Sequence, residues 1–431
     1  VTGEQFTVLG LARPRVGWFT EVGRWATSGS LPVEFVRCVS IEELRARLRC
    51  GRAWSALLVD HSINGLDRDL IDAARAVGCA TVVVGDGSRR HDWMGLGAAA
   101  VVDVPVSRDA LLATLRTCAA PVERLAGSGA DLALVPRVGW EGRMVVVAGS
   151  GGTGTSTVAA ALAQGLAADP ARSGRVVLVD AALDAAQALL HDVGDVVPGL
   201  QELVEAHRSG ATDTTRTRAM TWLCPDRGYD LLSGLRRHRD WTVLRPRAVE
   251  AAFASLRAAY PLVVVDTDAD VEGEALTGSV DVEDRNVLAR HATATADVVL
   301  VTATPTVTGL HRLVRDLSAL LDHGVAADRL QAVVVRAPRT ARGRAEITMA
   351  VTELMGPTGT ALTSSPIHLP FRKDLDGLQR DGAPMPRSLA EPLAAVVTVL
   401  LDRLDPIERA SAAGPSEPVP VRTRSLRGGA A

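Results

Sequence analysis

Residues 144–168 constrain this chain more than any other stretch. Met144-Val145-Val146-Val147-Ala148 is an unbroken apolar run. Gly149-Ser150-Gly151-Gly152-Thr153-Gly154 is a glycine-rich turn, and Val158 to Ala168 has helical character. Strand, glycine turn and helix in that order aim successive backbone N–H groups at one point at a helix N-terminus. The glycines permit positive φ and the close approach that a phosphate needs. The rest of the chain must then supply a sheet around that strand.

It offers several more strands. Val176–Val179, Tyr229–Leu232, Leu262–Val265, Val298–Val301 and Leu330–Val335 are short apolar runs, most of them separated by helical segments. The first ~120 residues repeat the alternation on a smaller scale. Pro14–Phe19, Trp54–Asp60, Ala80–Val84 and Ala98–Val102 read as strands, with helices over Ile41–Leu48, Leu66–Val77 and Ser107–Thr117. Alternating β and α predicts an α/β fold with doubly wound, mostly parallel sheets. Gly127-Ser128-Gly129 between Pro121 and Pro136 reads as a linker, and the Ser/Pro/Gly/Arg-rich end as a disordered tail. The expected organisation is 1–120, a linker over 121–141, 142–405, and a tail over 406–431.

The loop and its neighbours resemble the MinD/ParA group of P-loop ATPases, whose loop reads x-K-G-G-x-G-K-[ST]. Gly151, Gly152 and Gly154 match, and Ser156 falls on the magnesium-binding hydroxyl. Ser150 replaces the signature lysine and Thr155 the phosphate-binding lysine. Losing one charge-assisted contact costs about 1.5–3 kcal/mol. All but one of the 47 basic residues are arginine, and the single lysine, Lys373, lies outside the motif.

Other family motifs are eroded in the same way. Val176–Asp180 resembles the first switch strand, with Asp180 kept and the second acid replaced by Ala182; Asp184 is out of register. Leu262–Asp266 resembles the Walker B strand, but the proline and glycine that follow it are Asp268 and Asp270. Arg336 stands where many relatives have an adenine-contacting Asn. Ala296–Pro305 and Ile367–Pro384 keep the family pattern. The resemblance spans roughly 143–404 and implies that Gly151, Gly152, Thr153, Gly154, Thr155, Ser156 and Thr157 form the cofactor-binding loop. It implies Ser156, Asp180 and Asp266 as metal-site residues, ATP or ADP with Mg2+ as a weak or absent cofactor, and no catalytic residue.

The N-terminal segment resembles a response-regulator receiver. Asp60 sits at the phosphoacceptor position, but Val104-Pro105 replaces Lys-Pro and the acidic pair is missing. A pseudo-receiver docking module is expected, with Asp60 capping the next turn. A lysine-free loop joined to such a domain looks most like the CpaE-like septum site-determining proteins of actinobacteria. That resemblance implies a regulator of septum placement and cell division, or of a Tad/Flp pilus-type secretion locus, acting through partners. A slow ATPase of the positioning type is the alternative. The family's nucleotide-sandwich dimer uses the signature lysine, so a homodimer here is not expected to depend on ATP.

Composition closes off other classes. A net charge of -3 excludes a globally basic nucleic-acid coat, and no apolar run is long enough to span a membrane. Basic clusters at Arg236–Arg239 and Arg336–Arg344 read as solvated faces. Leu389 to Leu404 is apolar without a basic face, and so reads as a core helix. Cys38, Cys50, Cys79, Cys118 and Cys224 form no C-x-x-C pair, and the nine histidines show no metal spacing. The start, Val1-Thr2-Gly3-Glu4, lacks the blocks of a signal peptide. Cytoplasmic residence is expected, with any contact at a septum or membrane made through partners.

Overall fold

A computed structural model describes residues 5–13, 16–49, 52–85, 91–121, 141–170, 172–210, 212–356 and 365–404. The expected linker (apart from its end residues 121 and 141) and the tail lie outside these residues.

The N-terminal part is a five-stranded parallel sheet. Its elements are β1 (Phe6–Leu11), α1 (Gly17–Thr27), β2 (Val33–Arg37), α2 (Ile41–Arg49), β3 (Ala56–Asp60), α3 (Arg68–Ala76), β4 (Ala80–Gly85), β5 (Ala100–Asp103) and α4 (Arg108–Cys118). The strand order is β2-β1-β3-β4-β5. The strand expected at Pro14–Phe19 is corrected: Gly17 onward is α1, and the first strand is Phe6–Leu11, buried throughout. Trp18 and Val22 lie one helical turn apart and pack with Phe6 and Val8. Gly10 hides the strand in the sequence, because glycine weakens strand preference. A Cβ there would collide with the Phe35 ring, so the glycine makes room for the Phe19–Phe35 edge contact, with centroids 5.4 Å apart.

The larger sheet has eight strands. Its first half contains β6 (Arg143–Gly149), α5 (Thr155–Ala167), β7 (Val176–Asp180), α6 (Gln187–Leu190), α7 (Leu200–Ser209), α8 (Thr214–Arg218), β8 (Trp222–Cys224) and β9 (Tyr229–Leu232). Its second half contains α9 (Pro246–Ala259), β10 (Leu262–Asp268), α10 (Glu274–Thr277), α11 (Val280–Arg285), α12 (Val287–Thr295), β11 (Val298–Ala303), α13 (Val307–Asp322), β12 (Leu330–Ala337), α14 (Ala341–Met355), β13 (Ile367–Pro370), α15 (Leu375–Arg380) and α16 (Arg387–Leu404). The order is β13-β12-β11-β6-β10-β7-β9-β8, and only β8 runs antiparallel to its neighbour among the described strands.

The central strands are apolar on both faces because helices cover both. Val146 and Val265 pack with α9 and α13, while Val145 and Val264 pack with α5 and α16. Each fully buried valine or leucine contributes about 1.5–3 kcal/mol. In α16, Leu389, Leu393, Val397 and Leu400 are buried against α5, as expected of a core helix. No described helix is long and apolar enough to cross a membrane.

The two sheets meet through α3. Arg68 Nε donates to the His207 carbonyl at 2.9 Å, near the end of α7. Arg208 Nε lies 3.2 Å from Asp67 Oδ2, and Asp69 Oδ1 accepts the Arg247 backbone N–H, 3.0 Å away, in the first turn of α9. A carboxylate of the smaller unit thus caps a helix of the larger one.

Candidate functional site

β6 lies between β10 and β11, so the glycine turn opens at the carboxyl edge of the sheet centre. That is where open α/β sheets place ligands. Gly152 and Gly154 both have φ of 81°, the left-handed region, and Gly154 is the N-cap of α5. A Cβ at Gly151 or Gly152 would meet nothing within 4 Å. The backbone cradle has the space an anion needs.

The side chains turn away from that cradle. Thr155 Oγ1 is 2.9 Å from Thr302 Oγ1 and 3.2 Å from Thr153 Oγ1. Thr153 Oγ1 in turn lies 2.8 Å from Thr302 Oγ1 and donates to the Ser150 carbonyl at 2.6 Å. Gly149 makes this hydroxyl cluster possible: a Cβ on it would collide with Thr302 Oγ1. Ser150 Oγ donates to Asp316 Oδ2 on α13 at 2.8 Å. Burial pushes the Asp316 carboxyl up, and the bond from Ser150 offsets part of that. The two positions that hold lysine in the resembled loop are therefore tied into internal hydrogen bonds. Thr157 Oγ1 accepts from Gln379 of α15 at 3.0 Å, while Lys373, just ahead of that helix, is exposed.

Asp180 ends β7, and Asp266, two residues before the end of β10, is its register partner on the adjacent parallel strand. Both are buried, at 0% and 1% exposure, so neither faces bulk water. Burial, then the charge of Asp266, raises the Asp180 carboxyl well above its usual range; burial also raises Asp266, opposed by hydrogen bonds from Ser156 and Gln187. Gln187, fully buried on α6, holds the pair together. Its backbone N–H donates to Asp180 Oδ2 at 2.8 Å, and its Nε2 donates to Asp266 Oδ2 at 2.7 Å and to the Ser156 carbonyl at 3.0 Å. Gln187 Oε1 is buried without a hydrogen bond.

The two halves of a magnesium–nucleotide site can be tested separately. The cradle fits a phosphate in shape. The metal half does not fit: an amide already engages Asp266, and position 182 is a buried alanine. Asp184 does not join the buried pair: its side chain is 97% exposed, with Oδ1 3.8 Å from His238 Nδ1.

Beside the loop lies a cavity of about 410 Å³ whose lining includes Gly149, Ser150, Gly151, Asp268, Asp270, Glu272, Arg315 and Asp316. Asp268 accepts the Leu183 N–H at 2.8 Å, and Asp270 pairs with Arg285 at 2.7 Å. With Asp270 paired to Arg285, three carboxylates still face one guanidinium, which makes this wall unfavourable to a polyphosphate. Arg336 is exposed with φ of 55°, at a register shift between β12 and β13.

In the N-terminal sheet, Asp60 has both oxygens engaged. Oδ2 accepts the Trp18 indole N–H at 2.9 Å, and Oδ1 accepts the Ser62 N–H at 3.0 Å. This is the turn-capping arrangement expected from the sequence. Cys38, Cys79, Cys118 and Cys224 are free thiols; Cys50 lies outside the described residues. No cluster of metal-ligating residues occurs among the described residues.

Three site residues escaped the sequence reading: Gln187, Thr302 and Asp316. Asp316 left a trace, an acid three residues from Leu313 and one from Leu317 on the apolar stripe of α13. Gln187 and Thr302 left none, since only the sheet order brings β7, β10 and β11 around β6.

No family model matches this sequence, and no curated protein does either. Among solved structures, the chain is similar to a ParA family ATPase from Chlorobium tepidum TLS at 18% identity and TM-score 0.47, covering 59% of this chain and 98% of that one. It is similar to the cell division ATPase MinD of Pyrococcus furiosus at 18% identity and TM-score 0.44, covering 61% and 100% of the two chains. It is also similar to the septum site-determining protein MinD of Pyrococcus horikoshii OT3, solved with Mg-ADP, at 18% identity and TM-score 0.43, covering 64% and 99%.

Proposed function

We propose that this chain is a MinD/ParA-like regulator that acts by binding partners and has lost efficient nucleotide chemistry. Its sites of action are septum placement and cell division, or a Tad/Flp pilus-type secretion locus, as in the CpaE-like septum site-determining proteins. In this reading residues 142–405 are a degenerate P-loop domain and residues 1–120 a pseudo-receiver that docks on it through α3.

The observation that carries the reading is the inward turn of the loop. Thr155 bonds to Thr153 and Thr302, Ser150 bonds to Asp316, and the acids that would serve a metal are held by an amide. Residues Gly151 to Thr157 keep the backbone of a phosphate cradle without its charge. Without lysine, nucleotide affinity falls by roughly 10- to 150-fold for each lost charged contact. The order 2-1-3-4-5 of the N-terminal sheet supports the pseudo-receiver, since it is the doubly wound order of flavodoxin-like domains.

Calorimetric titration of the full chain with ATP and ADP, alongside a Thr155→Lys variant, tests the proposal. Wild type is expected to show no binding at micromolar concentrations, with the variant gaining it. Micromolar binding and turnover of ATP by wild type would instead establish the slow ATPase.

A further inference from the structure

We propose that Gln187 is a built-in replacement for the divalent cation of this site, so that the loop, β7 and β10 assemble without metal and exclude it. The inference rests on reading residues 144–157 as a phosphate loop and is independent of which partner is bound.

Three contacts carry it. One residue joins the Asp180 carboxylate through its backbone N–H, the Asp266 carboxylate through Nε2, and the first turn of α5 through the Ser156 carbonyl. These are the elements that a cation would otherwise bridge. A primary amide has two N–H donors, and here both are used on acceptors from different elements.

The orientation of the amide is decided by its neighbours. Turned over, Oε1 would face the Asp266 carboxylate and the Ser156 carbonyl at 2.7 and 3.0 Å. Three acceptors so placed would repel one another unless a cation or a carboxyl proton lay among them. With Nε2 inward the contacts are favourable, and the remaining cost is the buried Oε1 without a donor. A well-packed apolar residue would avoid that cost, so mere filling of space does not account for glutamine here. What the amide supplies is donors to a buried carboxylate.

Magnesium would need carboxylate oxygens at about 2.0–2.1 Å and would retain several waters. Gln187 is 0% exposed and Asp266 1%, and Asp266 Oδ2 is already engaged, so the position is both filled and dry.

The test is Mn2+ binding to the full chain, followed by electron paramagnetic resonance, with folding checked by circular dichroism. Wild type and Asp266→Asn should bind Mn2+ equally weakly. Gln187→Ala should gain roughly tenfold or more in Mn2+ affinity, equivalent to about 1.4 kcal/mol. The double variant Gln187→Ala/Asp266→Asn should lose that gain. Should Gln187→Ala not fold, Gln187→Asn, whose amide is too short to reach Asp266, is expected to show the same gain. Asp266-dependent Mn2+ binding by wild type overturns the proposal, as does the absence of any gain in a folded Gln187 variant. If neither variant folds, the melting temperature of wild type decides: equal values in Mg2+ and in chelator support it, and a rise with Mg2+ overturns it. Failure of the regulator reading would appear separately, as ATP binding and hydrolysis.

Discussion

Asp69 provides the sharpest test of how the two sheets are joined. It reaches from α3 to the N-terminus of α9, where Oδ1 accepts the Arg247 N–H at 3.0 Å, while Oδ2 is buried without a partner. Burial raises its carboxyl to about 6; the Arg247 N–H opposes this, Asp67 adds to it, and Arg245 and Arg45 oppose it. Asp69, Arg45 and Arg245, with Arg49 and Asp284, line a cavity of about 280 Å³ between the units. The folded value lies above the unfolded one near 3.8. Asp69 therefore contributes stability that is full below pH ~4 and lost as pH rises through ~6. Two decades of proton affinity correspond to about 3 kcal/mol, of which about 2 should be lost between pH ~4 and ~7. Asp69→Asn keeps an oxygen for the Arg247 N–H and cannot ionise. Urea unfolding of wild type and variant across that range should show the variant gaining on wild type by about 2 kcal/mol as pH rises. A difference that stays constant with pH, or moves the other way, would refute the reasoning.

Two further outcomes follow from the same geometry. Gly149→Ala should destabilise the chain by about 1–3 kcal/mol, because its Cβ meets the Thr153, Thr155 and Thr302 hydroxyls. Thr302→Ala should restore part of that loss in thermal unfolding; full stability of Gly149→Ala alone would contradict the packing described. Burial works to raise the Asp60 carboxyl, but hydrogen bonds from Ser62 and Trp18 outweigh it and hold it below its ordinary value. Asp60→Asn should therefore cost about 1–2 kcal/mol at neutral pH, and the cost should shrink as pH falls below ~4. A pH-independent cost, measured by unfolding at both ends of the range, would show that the charge of Asp60 is not what these bonds stabilise.

Much of this architecture was legible in the chain. The runs at Met144–Ala148, Leu262–Val265 and Val298–Val301 became β6, β10 and β11 almost as read, because strands buried on both faces leave continuous apolar segments. Gly10 interrupts the pattern of the first strand, and β2 leaves little pattern because an edge strand buries little: of Val33–Arg37, only Val33 is buried. Short β8 and β13 were likewise not read as strands, since three or four residues carry no period.

The site divides along the same line. The sequence by itself determined the glycine turn, the missing lysines and the surviving acids, because these are local: a turn's φ angles and a side chain's charge belong to residues a few positions apart. Only the tertiary structure decided what replaced the lost groups. Thr302 meets Thr155 across 147 positions, Asp316 meets Ser150 across 166, and Gln187 meets Asp266 across 79. Such pairings depend on strand order, and strand order is set by which apolar faces can be buried together, a property of the assembled sheet rather than of any one segment.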